Sequence, residues 1–203
     1  MTIPVSLVVE GSLDEQVLRR ALAQVAAGHL QPGTCYIQPG RDRLQRNVPR
    51  FNQAARYQPF IVLADLESDE CPPALVREWL PGGAHPHLAL RIVVRMMESW
   101  LLADRQACAQ FLGVSATLLP PQPDAELDPK QTLVNLARRS RYRPIREDVA
   151  PVAGSTSRVG RNYNGQLTRF VLQHWDARRA SAQSPSLERA IRALQRFRPT
   201  LDL

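Results

Sequence analysis

Glu10 closes a short valine-rich run, Pro4-Val5-Ser6-Leu7-Val8-Val9, and Asp65 closes a second, Phe60-Ile61-Val62-Leu63-Ala64, with Glu67 two positions on. A continuous apolar run of this length is the pattern of a strand buried on both faces of a parallel sheet. Open parallel sheets bind ligands outside the carboxyl ends of their strands, so both acids are expected at one rim. Carboxylates brought together there repel each other unless one takes up a proton or a cation lies between them. Magnesium suits such a rim: it takes oxygen ligands, keeps several waters and completes its shell with substrate phosphate. If the chain stays extended from Asp65 to Glu67, both can reach one ion or two adjacent ones.

Each acid taken singly is more often a solvated loop residue or a helix cap than a ligand. Asp69 and Glu70 read as turn residues before a proline-opened helix, and Asp14 as a first-turn acid facing a helix dipole. Lys130 stands out for another reason. It is the single lysine among 26 basic residues, and Asp128-Pro129-Lys130-Gln131 reads as a helix start with Asp128 as N-cap and Gln131 at N3. A cation in a first turn opposes the dipole, and a bound phosphate would relieve it. The plainer reading is a solvated surface lysine.

These residues need elements to hold them. Gly11 permits a tight turn after Glu10, and Ser12 with Glu15 has the spacing of a capping box, Ser12 as N-cap. The helix so opened has Val17, Leu18, Ala21, Leu22 and Val25 on its core side, with Gly28 placed to end it in a left-handed cap. A weaker strand is expected at 34–37 and a helix at about 43–56. A helix from Pro72 should close before Gly82-Gly83. Leu88, Leu90, Ile92 and Val94 share one face of a further strand, Arg91 and Arg95 the other. Glu98 to Asp104 reads as helix. Strands alternating with helices predict an α/β fold with a mainly parallel sheet covered on both sides. The cluster Pro120, Pro121, Pro123 marks a crossing, which divides an α/β core over 1–119 from a mainly helical extension over 120–203 packed on it.

Charge is segregated along the 203 residues. Residues 1–130 carry 12 basic and 14 acidic side chains, residues 131–203 carry 14 and 5, so the net charges are −2 and +9. An acidic catalytic part joined to a basic part fits a polyanionic partner, nucleic acid being the commonest. Arg189, Arg192 and Arg196 line one side of a helix opened by Ser184-Pro185 and could follow a phosphate backbone. Arg158 and Arg161, in the Gly154–Gly165 loop, are further candidates. Cys35, Cys71 and Cys108 form no CxxC pair, and His85 and His87 have no third ligand nearby, so disulfide frameworks and zinc are not expected. No membrane span, signal peptide or phosphate-binding Walker loop is read, which makes the cytoplasm the default address.

Glu10-Gly11 with Asp14 (E-G-x-x-D), followed about fifty residues later by a strand ending in Asp65-x-Glu67, resembles the Toprim pattern of primases, topoisomerases and old-type (overcoming lysogenization defect) nucleases. Three further segments are similar to a family of uncharacterised bacterial proteins with a Toprim-like start: Glu98-x-Trp100-Leu101-Leu102-Ala103-Asp104, Asp128-Pro129-Lys130 and Ser184-Pro185-Ser186-Leu187. The resemblance spans nearly the whole chain. It implies a Toprim-like core in which Glu10 is general acid or base and a metal ligand, while Asp65 and Glu67 hold Mg2+ or Mn2+ as one or two ions. It adds Glu98 as a further ligand. The usual Asp-x-Asp is Asp-x-Glu here, one methylene longer at Glu67.

The expectation is a metal-dependent nuclease cutting DNA or RNA, with Arg95 and Lys130 offsetting charge developing on phosphorus. By resemblance, the setting is bacterial anti-phage defence beside an ATPase encoded nearby, and self-association is left open. The rivals are a non-catalytic module that binds nucleic acid or acts as a sensor, and phosphoryl or nucleotidyl transfer on a small substrate.

Overall fold

The computed structural model describes residues 2–69 and 71–200; the turn expected at Glu70 lies outside them. Four apolar runs form the strands β1 (Ile3–Val9), β2 (Leu30–Ile37), β3 (Phe60–Asp65) and β4 (Leu88–Val93), all parallel, in the order β2-β1-β3-β4. The α/β, parallel-sheet expectation holds.

Helices α1 (Ser12–Val25), α2 (Arg41–Ala54) and α3 (Pro72–Trp79) make the crossovers. From β1 the chain steps one way to β2, then returns across β1 to β3 and β4. Right-handed crossovers in opposite directions must place their helices on opposite faces. Accordingly α1 packs with Val5, Leu7, Ile61 and Leu63, whereas α2 and α3 pack with Val8, Phe60, Val62 and Leu90. The reversal opens a crevice at the carboxyl ends of β1 and β3, where Glu10 and Asp65 stand.

Several boundaries differ from expectation. The α1 cap is Gly11, not Ser12: the Gly11 amide donates to Asp14 Oδ2 at 2.8 Å, and Glu15 turns to Arg19 instead, also at 2.8 Å. The helix ends at Val25, where the amides of His29 and Leu30 both close on the Ala26 carbonyl; that turn needs no left-handed Gly28. Strand β2 starts at Leu30, four residues early. Pro32 and Gly33 are breakers by type, but on an edge strand that itself bulges against β1, between Pro32 and Cys35, they are tolerated. Arg95 lies beyond the end of β4, although Leu88, Leu90 and Ile92 do share a face as expected.

The rest is helical: α4 (Met97–Ala103), α5 (Arg105–Leu112), α6 (Pro129–Arg138), α7 (Arg143–Val149), α8 (Tyr163–Gln173), α9 (Ala177–Ser181) and α10 (Pro185–Arg196). Helices from both sides of residue 120 share one apolar cluster with the sheet. All seven residues of α4 are buried, and side chains at its end hold the later helices. Trp100 Nε1 donates to Ser186 Oγ at 2.8 Å, and Trp175 Nε1 donates to the Trp100 carbonyl at 3.0 Å. Asp104, 2 % exposed, accepts from the Asp176 amide at 2.9 Å and from two nitrogens of Arg179 at 2.8 and 3.1 Å.

Asp104→Ala removes all three bonds and strands the Asp176 amide. It is expected to cost about 2–3 kcal/mol, read as a lower urea midpoint at unchanged slope. Among the described residues no helix is long and apolar enough to cross a membrane.

Candidate acidic site at the strand ends

Glu10 and Asp65 reach the crevice because β1 and β3 are neighbours whose register pairs Val8 with Val62. Two more acids join them. Asp14 comes from the first turn of α1, held by the Gly11 amide, and Glu98 comes from α4, which follows β4 closely. Burial pushes Asp65 well above the usual carboxylate range, and the charges of Asp14, Glu98 and Glu10 push it further; the Met97 amide opposes them. Asp14 is pushed up to about 7, by burial first, with Glu10 and Glu98 adding to it. Glu10 is raised by burial and by Glu67, against the Asp65 amide, Arg41 and Lys130. Asp65 is thus the acid on which Asp14, Glu98 and Glu10 all act, while the acid acting on Glu10 is Glu67.

Lys130 faces the same cluster. Asp128 caps α6, its Oδ1 accepting from the Gln131 amide at 2.9 Å, and the first turn so fixed aims Lys130 Nζ at Glu98 Oε1, 3.6 Å away. The counter-charge that a first-turn lysine calls for is therefore present within the chain. On the same oxygen Glu98 accepts from Tyr163 Oη at 2.9 Å, from the start of α8. Burial and the adjacent carboxylate raise the phenol of Tyr163 far above its ordinary value, so it stays a donor.

Glu67 does not follow the extended path that would carry it to Asp65. Its backbone is left-handed, φ 52°, a conformation that costs a non-glycine residue about 1 kcal/mol. Arg95 secures that turn: its Nη1 donates to the carbonyls of Glu67 and Asp69 at 3.0 and 2.9 Å. In this position Arg95 holds the loop. The Glu67 carboxylate, 42 % exposed, lies 3.8 Å from Arg41 Nη1, yet close enough to Glu10 to raise it. Arg41 also donates to the carbonyls of Asp65 and Leu66 and pairs with Asp69, so it ties α2 to the acidic rim.

The proposed nucleic-acid arginines lie outside the crevice. Arg158 pairs with Asp128 at the foot of α6. Arg161 lies 3.8 Å from Asp148 and is almost wholly exposed. Arg189, Arg192 and Arg196 are exposed on α10, Arg192 3.5 Å from Glu188.

Among the described residues no three His, Cys, Asp or Glu side chains are grouped closely enough to hold one ion as they stand. Glu10 Oε1, however, is buried without a hydrogen-bond partner. An orphaned carboxylate oxygen in a group that burial and Glu67 already push toward protonation is short of positive charge, which a divalent ion or a proton supplies. In that respect the donor set fits Mg2+ or Mn2+.

Sequence reasoning placed Glu10, Asp65, Glu98 and Lys130 in one neighbourhood but left Asp14, Arg41 and Tyr163 aside. Asp14 was findable from Gly11, since a glycine N-cap shifts the capping acid by one position. Tyr163 carried no signal, because its partner Glu98 is 65 residues away. Comparison with protein-family models, curated proteins and solved structures returned no match.

Proposed function

We propose that the protein is a divalent-ion-dependent phosphodiesterase acting on nucleic acid, with a Toprim-like core. The observation that carries this reading is a carboxylate oxygen of Glu10 buried without a partner at the crevice of a parallel sheet, beside Asp65, whose ionisation Asp14, Glu98 and Glu10 oppose, with Lys130 3.6 Å from Glu98. Glu10 and Asp65 would hold the ion, with Glu98 and Glu67 as further ligands and Asp14 completing the acidic rim. A bound Mg2+ supplies Lewis acidity toward a phosphoryl oxygen and lowers the pKa of water.

The chain's own groups do the remaining work. Where Asp65 and the further acids hold the ion without it, Glu10 exchanges a proton with the attacking or leaving oxygen. Lys130 is shared between Glu98 and an incoming phosphate, whose charge it offsets. Tyr163 keeps Glu98 oriented when Lys130 turns away. Lys130→Ala is accordingly expected to lower the cleavage rate about 10- to 100-fold with a smaller change in substrate affinity; unchanged turnover would remove Lys130 from the mechanism.

Purified protein with Mg2+ or Mn2+ should cut single- or double-stranded DNA or RNA, alone or with a partner ATPase encoded nearby. No cleavage of any of them would end the enzyme reading. The salt-bridge distance of Glu67 to Arg41 favours a second reading, a module that binds ion and nucleic acid without cutting. Calorimetric Mg2+ binding without product would select it.

A further inference from the structure

Away from the acids, a cleft of about 610 Å³ opens beside the edge strand β4, between α3 and α10. That size is ordinary for a small-molecule site. Its walls are largely apolar, Pro72, Pro73 and Val76 among them, and three arginines border it: Arg77 from α3, Arg91 from β4 and Arg189 from α10. Among the described residues none of the three arginines makes an ion pair or a side-chain hydrogen bond. Arg91 Nε is buried without a partner, and burial lowers the pKa of that group. Three arginines from three elements border one cleft with no carboxylate partner among the described residues, and an anion would satisfy them.

We propose that this cleft holds one nucleotide of a single nucleic-acid strand, its phosphate on Arg77, Arg91 and Arg189 and its base or sugar against the proline wall. The inference rests on the reading that the acids face nucleic acid, and it names how the strand is held. Two features favour a strand over a free nucleotide. Val93 is the register partner of Asp65, and Arg91 lies two residues before it; strand geometry puts the backbones of Arg91 and Asp65 on the order of 8 Å apart. Arg189 is also the first of the exposed series continued by Arg192 and Arg196 along α10, so a basic track leaves the cleft for further phosphates.

The test is fluorescence anisotropy of a short labelled oligothymidylate in EDTA, at several salt concentrations. Arg77→Gln, Arg91→Gln and Arg189→Gln should each weaken binding about tenfold and lower the salt slope by about 0.7, whereas Arg143→Gln should change neither. Arg77 and Arg189 are exposed, so those two variants decide the matter if Arg91→Gln proves less stable. Wild-type affinity and slope in both overturn the inference. So does oligoglutamate that displaces the strand at equal concentration, or thymidine monophosphate that binds as tightly as the strand. Binding is read without divalent ion, which separates the two claims. A strand held by these arginines but never cut leaves the cleft standing and removes hydrolysis, while cleavage with unaltered binding in the variants does the reverse.

Discussion

Asp65→Asn is expected to abolish ion-dependent cleavage, slowing it roughly 10³-fold, or about 4 kcal/mol of barrier, while making the ion-free protein more stable. The two effects have one cause. Asp65 is half-buried at the end of β3 and the charges acting on it, Asp14, Glu98 and Glu10, are acids, so ionising it without a counter-ion is costly. Asparagine keeps the size and still offers an oxygen to the Met97 amide, but it removes the charge. Relief of repulsion should raise stability at pH 8 in EDTA by about 1–2 kcal/mol. Thermal unfolding in EDTA and cleavage with Mn2+ read the two arms separately. A variant that is both active and less stable would show that Asp65 is a structural acid.

The ion-free protein should also lose stability as the pH rises, a direction opposite to that of a protein held by ion-paired carboxylates. Asp14 is raised from 3.8 to about 7 in the folded state, so the folded form binds its proton more tightly than the unfolded form. Its contribution is full below about pH 4 and disappears as the pH climbs through 7. A shift of about three units corresponds to roughly 4 kcal/mol across that window. Glu10 and Asp65 are displaced in the same direction and add to the slope. Saturating Mg2+ should flatten the profile and stabilise most at the alkaline end, since a cation replaces the missing protons. Unfolding midpoints from pH 4 to 8, with EDTA or Mg2+, measure it. A flat curve in EDTA would mean that the acids are separately solvated.

The parts of this site that sit directly on strands were readable from residue order. An apolar run followed by an acid can be seen locally, and the rule for open parallel sheets brings two such ends together without knowledge of either helix. Asp128-Pro129 was equally plain, because a cap is a local device. Glu67 was misplaced because one left-handed residue redirects the chain, and nothing in the Asp65-Leu66-Glu67 triplet marks that turn; the carbonyls it exposes are held by Arg95, 28 residues on. The first helix cap was wrong by one residue because Ser12 is the better capping residue by type, while Gly11 needs no side chain when Asp14 reaches back to its amide. Nothing in residue order marked Arg77 and Arg91 as neighbours of Arg189, since their cleft exists only once α10 lies beside β4.

The acids of the crevice all come from the first hundred residues, and the ammonium and phenol that face them come from Lys130 and Tyr163. A nascent chain that has emerged only as far as α5 therefore carries an acidic rim met by Arg41 alone, with neither Tyr163 nor Lys130 to orient Glu98. The rim is completed late, when α6 and α8 dock and the tryptophan of α4 finds its serine on α10. Should the protein cut nucleic acid, its synthesis on a ribosome, itself largely RNA, proceeds with the reactive centre still unassembled.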